Sequence, residues 1–302
     1  MKKFIAVLSM AAMIGTLAVG CGKSNEESKG EDAKAEAGSD WDSSMDITIV
    51  SREDGSGTRG AFIELFGVEE KQGDEKVDMT TEEAQITNST SVMLTTVAGD
   101  EYAIGYVSLG SLDDSVKAVK IDGAEATAEN IKNDSYKVSR PFNIATKKGL
   151  DNEVAKDFIN FIMSKEGQEV VAENGYIGDD SAAAFSGSNP SGKVVVGGSS
   201  SISPVMEKLI EAYKAVNANA EIELQTTDST TGMTSAIDGS YDIGMASREL
   251  KDEEAAELDS QVIATDGIAV IVNKANTTDE LSGDQVKAIY TGEALTWDEV
   301  VE

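Results

Sequence analysis

The sequence predicts an α/β fold, on three observations. From Asp46 onward, short β-rich runs alternate with helical stretches; the strand candidates are residues 47–52, 102–107, 116–121, 138–145, 194–197, 221–225, 241–246 and 262–272. Between them, apolar residues recur at helical spacing: Val154, Phe158, Ile159 and Ile162 share one face, and Val205, Leu209, Tyr213 and Val216 another. About 260 residues follow Met45, enough for one large or two medium domains with real cores. Residues 178–193 (GDDSAAAFSGSNPSGK) are small and polar with one proline, and read as a flexible linker. They divide the folded part into segments 46–177 and 194–302, which no internal repeat relates.

Ahead of these elements, Met1-Lys2-Lys3 gives a positive start and residues 4–20 an apolar run too short for a bilayer span. Residues 1–20 therefore read as a signal peptide. The run ends in Leu17-Ala18-Val19-Gly20-Cys21, which resembles the lipobox of bacterial lipoproteins, with the leucine one place further from the cysteine than usual. Cys21 is the only cysteine, so it has no partner for an internal disulfide, and lipidation accounts for it. Residues 21–45 lack apolar periodicity and read as a disordered tether. The expected location is the outer face of the cytoplasmic membrane, held by a lipid.

Charge and composition exclude several functions. The formal charge is −30, and loss of Lys2 and Lys3 with the signal leaves 23 Lys+Arg against 55 Asp+Glu, or −32. That excludes nucleic acid as a partner, because a phosphate backbone needs a basic footprint. A small anion is not excluded, since oriented backbone N–H groups hold one locally. Histidine is absent, which removes Ser-His-Asp chemistry and most zinc sites. A hydrolase using Ser56 or Ser200 would need G-x-S-x-G, yet Asp54 stands two before Ser56. No catalytic residue, metal or cofactor is expected.

Three places share one local design, in which a strand ends, a Gly/Ser/Thr cluster follows and a helix opens. They begin at Ser51-Arg52-Glu53-Asp54-Gly55-Ser56-Gly57-Thr58-Arg59, at Gly197-Gly198-Ser199-Ser200-Ser201-Ile202-Ser203-Pro204, and at Thr227-Asp228-Ser229-Thr230-Thr231-Gly232. Each offers unbonded first-turn N–H groups, a partial positive dipole and hydroxyl donors. Arg52 adds a bidentate fork suited to an oxyanion. Any one of them alone is most often a simple helix cap; three in one chain point to an anion. The strand 241–246 ends similarly, and Ser247 and Arg248 there are further candidates to bind the anion.

At these residues the chain resembles the phosphate-binding component of the high-affinity phosphate ABC importer, whose loop reads R-x-D-G-S-G-T. The resemblance implies a two-lobed periplasmic-binding-protein fold, a cleft between lobes joined by two hinge strands, and a monomer that passes inorganic phosphate to permease subunits. It implies that Arg52, Ser56, Gly57 and Thr58 bind the anion, that Asp54 holds Arg52, and that Ser201, Ile202 and Ser229 complete the site from the other lobe. Where family members place a proton-accepting aspartate, this chain has Ser247-Arg248, which adds charge and removes the acceptor; Asp266 is the candidate replacement. That change keeps sulfate, molybdate and phosphonate as alternative ligands. The two segments also stand in exchanged order, as in a circular permutation. One lobe is then expected from residues 46–137 plus 268–302, and the other from 138–267, interrupted by the linker.

Overall fold

The computed structural model describes residues 41–73 and 75–301; the signal stretch, Cys21 and tether residues 22–40 lie outside them. Residues 41–45, expected as tether, belong to the fold. Trp41 stacks on Tyr102 at 6.2 Å and meets Trp297 edge-on at 5.8 Å, which gives its large apolar ring a partner on two sides.

The first part of the chain forms β1 (Thr48–Arg52), α1 (Gly57–Leu65), the hairpin β2 (Glu69–Gln72) and β3 (Glu75–Asp78), and β4 (Gln85–Thr87). It continues with α2 (Thr90–Gly99), β5 (Ala103–Ser108), the short β6 (Lys117–Ala118) and β7 (Lys120–Ile121), and α3 (Ala128–Lys132). Then come β8 (Ser139–Lys147), α4 (Glu153–Ile162), α5 (Lys165–Glu173), β9 (Gly192–Ser199), α6 (Ser203–Val216) and β10 (Ala220–Thr227). The chain ends with α7 (Ser229–Asp238), β11 (Ile243–Ala246), α8 (Asp252–Glu257), β12 (Leu258–Val272), β13 (Glu280–Leu281) and α9 (Gly283–Tyr290).

One mixed sheet runs in the order β10-β9-β11-β8-β12-β5-β1-β4. Among the described residues it serves two large apolar cores and a small third cluster of Ala145, Met233, Ala236, Ala246 and Leu258. The first draws on residues 47–138 and 268–300 and centres on Phe62, Tyr106, Tyr290 and Trp297. The second draws on residues 142–264 and centres on Phe142, Phe158, Phe161, Leu209 and Tyr213. At about 1.5–3 kcal/mol for each large apolar side chain removed from water, each core is substantial. The long strand β12 joins the two lobes: residues 258–267 pair antiparallel with β8, and residues 268–272 pair antiparallel with β5. The two ends of the described chain also meet. Asp46 bridges Thr296, Ile47 donates to the Leu295 carbonyl at 2.8 Å, and Asp298 donates to the Ser43 carbonyl at 2.7 Å.

Several sequence expectations shift. The strand expected at 116–121 is broken at Val119, whose N–H turns to the Val270 carbonyl. On α4, Phe161 is buried with Val154, Phe158 and Ile162, while Ile159 is only partly so. Val216 ends α6 and is 47% exposed, having run past the face it was assigned to. The expected linker is irregular but tied down. Phe185 packs edge-on against Phe161, Ser188 N–H donates to Asp157, and the Pro190 carbonyl accepts from Asn217, while Gly192 and Lys193 open β9. An aromatic residue inside an otherwise polar run gave this stretch an anchor that its composition obscured.

Candidate anion site

The first lobe contributes a loop held by two arginines. Arg52 closes β1, and its buried guanidinium takes a bidentate grip from Glu53, with Nε and Nη2 both at 2.8 Å. Its backbone N–H donates to the Tyr106 hydroxyl at 3.1 Å, and Tyr106 is itself stacked on Phe62 at 3.9 Å in the core. Burial pushes the Tyr106 phenol up, so it stays neutral and serves as a fixed hydrogen-bonding post. Ser56 caps α1 by accepting from the Arg59 N–H. Arg59 reaches back to the Arg52 carbonyl at 2.6 Å and pairs with Asp78 at 2.8 Å and Asp54 at 3.0 Å. Asp54 therefore does not hold Arg52. It is 98% exposed and faces Arg59, while Glu53, the immediate neighbour, has the geometry to fork onto Arg52.

The second lobe contributes hydroxyls. β9 ends at Ser199, β11 ends just before Ser247, and α7 opens at Ser229. Ser199 Oγ donates to Ser247 Oγ at 2.9 Å, Ser229 Oγ lies 3.4 Å from Ser247 Oγ, and the Ser247 N–H donates to Ser229 Oγ at 3.1 Å. These three hydroxyls sit together because backbones meet without side chains between them: a Cβ on Gly232 would lie 2.8 Å from both Gly198 Cα and the Met245 carbonyl.

The two lobes touch across this seam. Arg52 Nη2 donates to Ser200 Oγ at 3.1 Å, and Thr58 Oγ1 pairs with Ser201 Oγ at 2.8 Å. The Thr90 N–H and hydroxyl both meet Ser200 Oγ at 3.3 Å. At the mouth, the Gly55 carbonyl accepts from both the N–H and the hydroxyl of Thr230, each at 3.2 Å. Ser56, Thr58, Thr90, Ser199, Ser200, Ser201, Ser229 and Ser247 are all buried. Four helices open here: α1, α2, α6 and α7. The fourth was missed. Thr87-Asn88-Ser89-Thr90 before an apolar run has the same design as the other three, but β4 is only three residues long and raised no strand signal.

Of the expected site residues, Arg52, Ser56, Gly57, Thr58, Ser201, Ser229 and Ser247 converge. Two do not. The Ile202 side chain is in the second core, and its N–H is spent on the Ser199 carbonyl at 3.1 Å, closing a turn. Arg248 stays at the mouth: both Glu254 carboxylate oxygens take its guanidinium, at 2.7 and 2.8 Å, and its Nη2 also donates to the Thr230 hydroxyl at 3.4 Å. For Glu254, burial raises the carboxyl pKa, but Arg248 and the Lys251 N–H outweigh it, so the net shift is downward.

Asp266, the candidate proton acceptor, makes no hydrogen bond to the hydroxyl cluster; its side-chain partners are Ser108 and Arg140. It lies inside β12, opposite Arg140 of β8, with Oδ2 at 3.1 Å from Arg140 Nη2 and Oδ1 accepting from Ser108 at 2.9 Å. Burial pushes its carboxyl up to about 6 despite the pull of Arg140 and Ser108. Arg140, likewise buried, is lowered by desolvation first. It escaped the sequence reading because it stands in an apolar strand, where a lone Arg carries no motif.

Chemically, this is a site of donors. Helix N-termini and rotatable hydroxyls surround one guanidinium, and Ser200 Oγ is bonded to Arg52 and Thr90, neither of which is a base. Among the described residues, no group of three or more His, Cys, Asp or Glu converges to hold a metal.

Known proteins match this arrangement along the whole chain. The pattern of the PBP superfamily domain covers residues 9–166 and 183–301. A protein named phosphate-binding protein PstS 2, from Streptococcus agalactiae, is 56% identical over 304 residues, covering 99% of each chain. The protein of that name from Streptococcus pneumoniae is 41% identical over 301 residues, again covering 99% of each. A crystal structure of a phosphate ABC transporter phosphate-binding protein from Streptococcus pneumoniae is 43% identical and covers 85% of this chain and all of its own, with a TM-score of 0.68. The chain belongs to the PBP superfamily and, within it, to the PstS family of phosphate-binding proteins.

Proposed function

We propose that this chain is a solute receptor, not an enzyme, which captures inorganic phosphate outside the cytoplasm and delivers it to the permease subunits of an ABC importer. One observation carries the reading: four helix N-termini from two lobes converge on one buried seam, into which Arg52 donates at Ser200. Helix starts favour anions, a guanidinium matches two oxyanion oxygens at once, and a tetrahedral ligand has enough acceptors to engage both lobes. Arg52, Ser56, Gly57, Thr58 and Thr90 would meet it from one side, and Ser200, Ser201, Ser229 and Ser247 from the other. Residues 46–137 with 268–302 form one lobe and residues 138–267 the other, closing by rotation about β8 and β12. The meeting of residues 43–47 with 295–298 supports the permuted order, since permutation needs neighbouring ends.

The receptor acts as a monomer at the outer face of the cytoplasmic membrane, held by lipid on Cys21. Substituting Cys21→Ala should release the chain or leave its signal uncleaved; a cleaved chain still on the membrane would exclude the lipid. The central experiment is a calorimetric titration of the purified full chain with phosphate, arsenate and sulfate. One phosphate per chain, displaced by arsenate, is expected. A chain that takes sulfate and leaves phosphate would be a sulfate receptor instead.

A further inference from the structure

Between the hydroxyl cluster and the hinge lies a buried ion pair that the anion site, as described, does not use. Arg140 and Asp266 face each other across β8 and β12, and the register places them one step from the crossover. Gly267 is the last β12 residue paired with β8, and Ile268 the first paired with β5. The pair is almost free of solvent, with side chains 2% and 0% exposed. Asp266 extends it into the first lobe, where its other oxygen accepts from Ser108 on β5. Arg140 extends it into the second lobe, where Nη1 donates to the Ser247 carbonyl at 3.1 Å. Its guanidinium also lies 5.4 Å above the Phe142 ring, which limits its tilt.

We propose that Arg140 is a positioning residue of the anion site, fixing Ser247 relative to the hinge through its bonds to the Ser247 carbonyl and Asp266. Ser247 is gripped on both sides of its own backbone: its N–H is held by Ser229, and its carbonyl by Arg140. Its hydroxyl is therefore aimed by the same group that spans the two hinge strands. Rotation at residues 266–268 must move Asp266 against Ser108, and so disturbs Arg140 and Ser247 together. A buried ion pair is a weak source of stability, because desolvating two charges offsets their attraction. Its use here is registry: one guanidinium ties the site to the joint. This rests on the anion-receptor reading given above.

The test is phosphate binding by the full chain carrying Arg140→Lys. A lysine keeps the charge, but a single ammonium lacks the fork needed to hold Asp266 and the Ser247 carbonyl together. Phosphate affinity should fall about tenfold or more, mainly through faster release, with the protein still folded at the assay temperature. An Arg140→Lys chain with parental affinity would overturn the proposal, because charge alone would then suffice. Should that variant fail to fold, Ser108→Ala removes the buried hydroxyl that bonds Asp266 and should speed release several-fold; an unchanged release rate overturns the linkage equally. A parent chain that binds neither phosphate nor sulfate would remove the receptor reading itself, an outcome distinct from variants that bind as the parent does.

Discussion

The two sides of the seam are built from different chemistry. The first lobe supplies charge, with Arg52 gripped by Glu53 and its loop propped by Arg59. The second supplies neutral hydroxyls, while Arg248, the one arginine that follows β11, is locked onto Glu254. Arg52, though paired with Glu53, still donates into the seam, to Ser200, so it can offer an anion charge-assisted bonds stronger than neutral ones. Hydroxyls act only at contact, so they reward closure and little else. The difference assigns the stronger anion contact to one lobe and closure to the other.

Removing the charge should therefore cost most. Arg52→Ala deletes a buried, charge-assisted fork and leaves Glu53 without its partner, so phosphate affinity should drop by roughly 2–5 kcal/mol, read by titration. An Arg52→Ala chain that binds like the parent would place the stronger contact elsewhere.

Closure should come next. Gly57→Ala puts a Cβ in overlap with Ser229 Oγ and 2.8 Å from Ser247 Oγ, so the lobes could approach only if buried serines shift. Affinity should fall about tenfold, about 1.4 kcal/mol, while thermal stability of the unliganded chain stays the same or rises, because alanine favours α1 more than glycine does. Loss of stability with unchanged affinity would show that position 57 matters to folding rather than to the seam.

How much of this was legible follows from the same contrast. The charged half lies in one run, residues 51–59, where strand end, glycines and arginine are contiguous, so its residues could be read in order. The hydroxyl half is assembled from the ends of three strands, and its signal came from the parts preceding a helix and from the polar end of the strand at Ser247. Ser229 and Ser201 were visible in the first way. Thr90, on the Arg52 side, was not, because three-residue β4 has no apolar alternation to mark it. Partner choice was the least legible. Whether Arg52 is held by Glu53 or Asp54, and whether Arg248 points at the anion or at Glu254, depends on side-chain direction around a turn, which residue types do not encode. The hinge pair shows the same limit: Arg140 and Asp266 are 126 positions apart and meet only through strand register.

Arg248 gives the smallest expected effect on binding and the sharpest check on that last point. If its role is to satisfy Glu254, then Arg248→Ala should change phosphate affinity by about 0.5 kcal/mol or less, about twofold. Stability should respond instead, and with a definite sign. In the parent, burial raises the Glu254 carboxyl, but Arg248 and the Lys251 N–H bring it below its usual value. A carboxyl lowered in the folded state contributes stability above its unfolded pKa, and that contribution is lost as pH falls through the folded value. Without Arg248 the burial remains and its main compensation is gone, so the ionised carboxylate becomes a cost near neutrality and is relieved by protonation. Melting curves of parent and variant should be well separated at pH 7 and converge as the pH drops below the ordinary glutamate range. A constant separation would mean that Glu254 is not the group responding. A tenfold loss of phosphate affinity would return Arg248 to the anion, and the second lobe would then supply charge as well as hydroxyls.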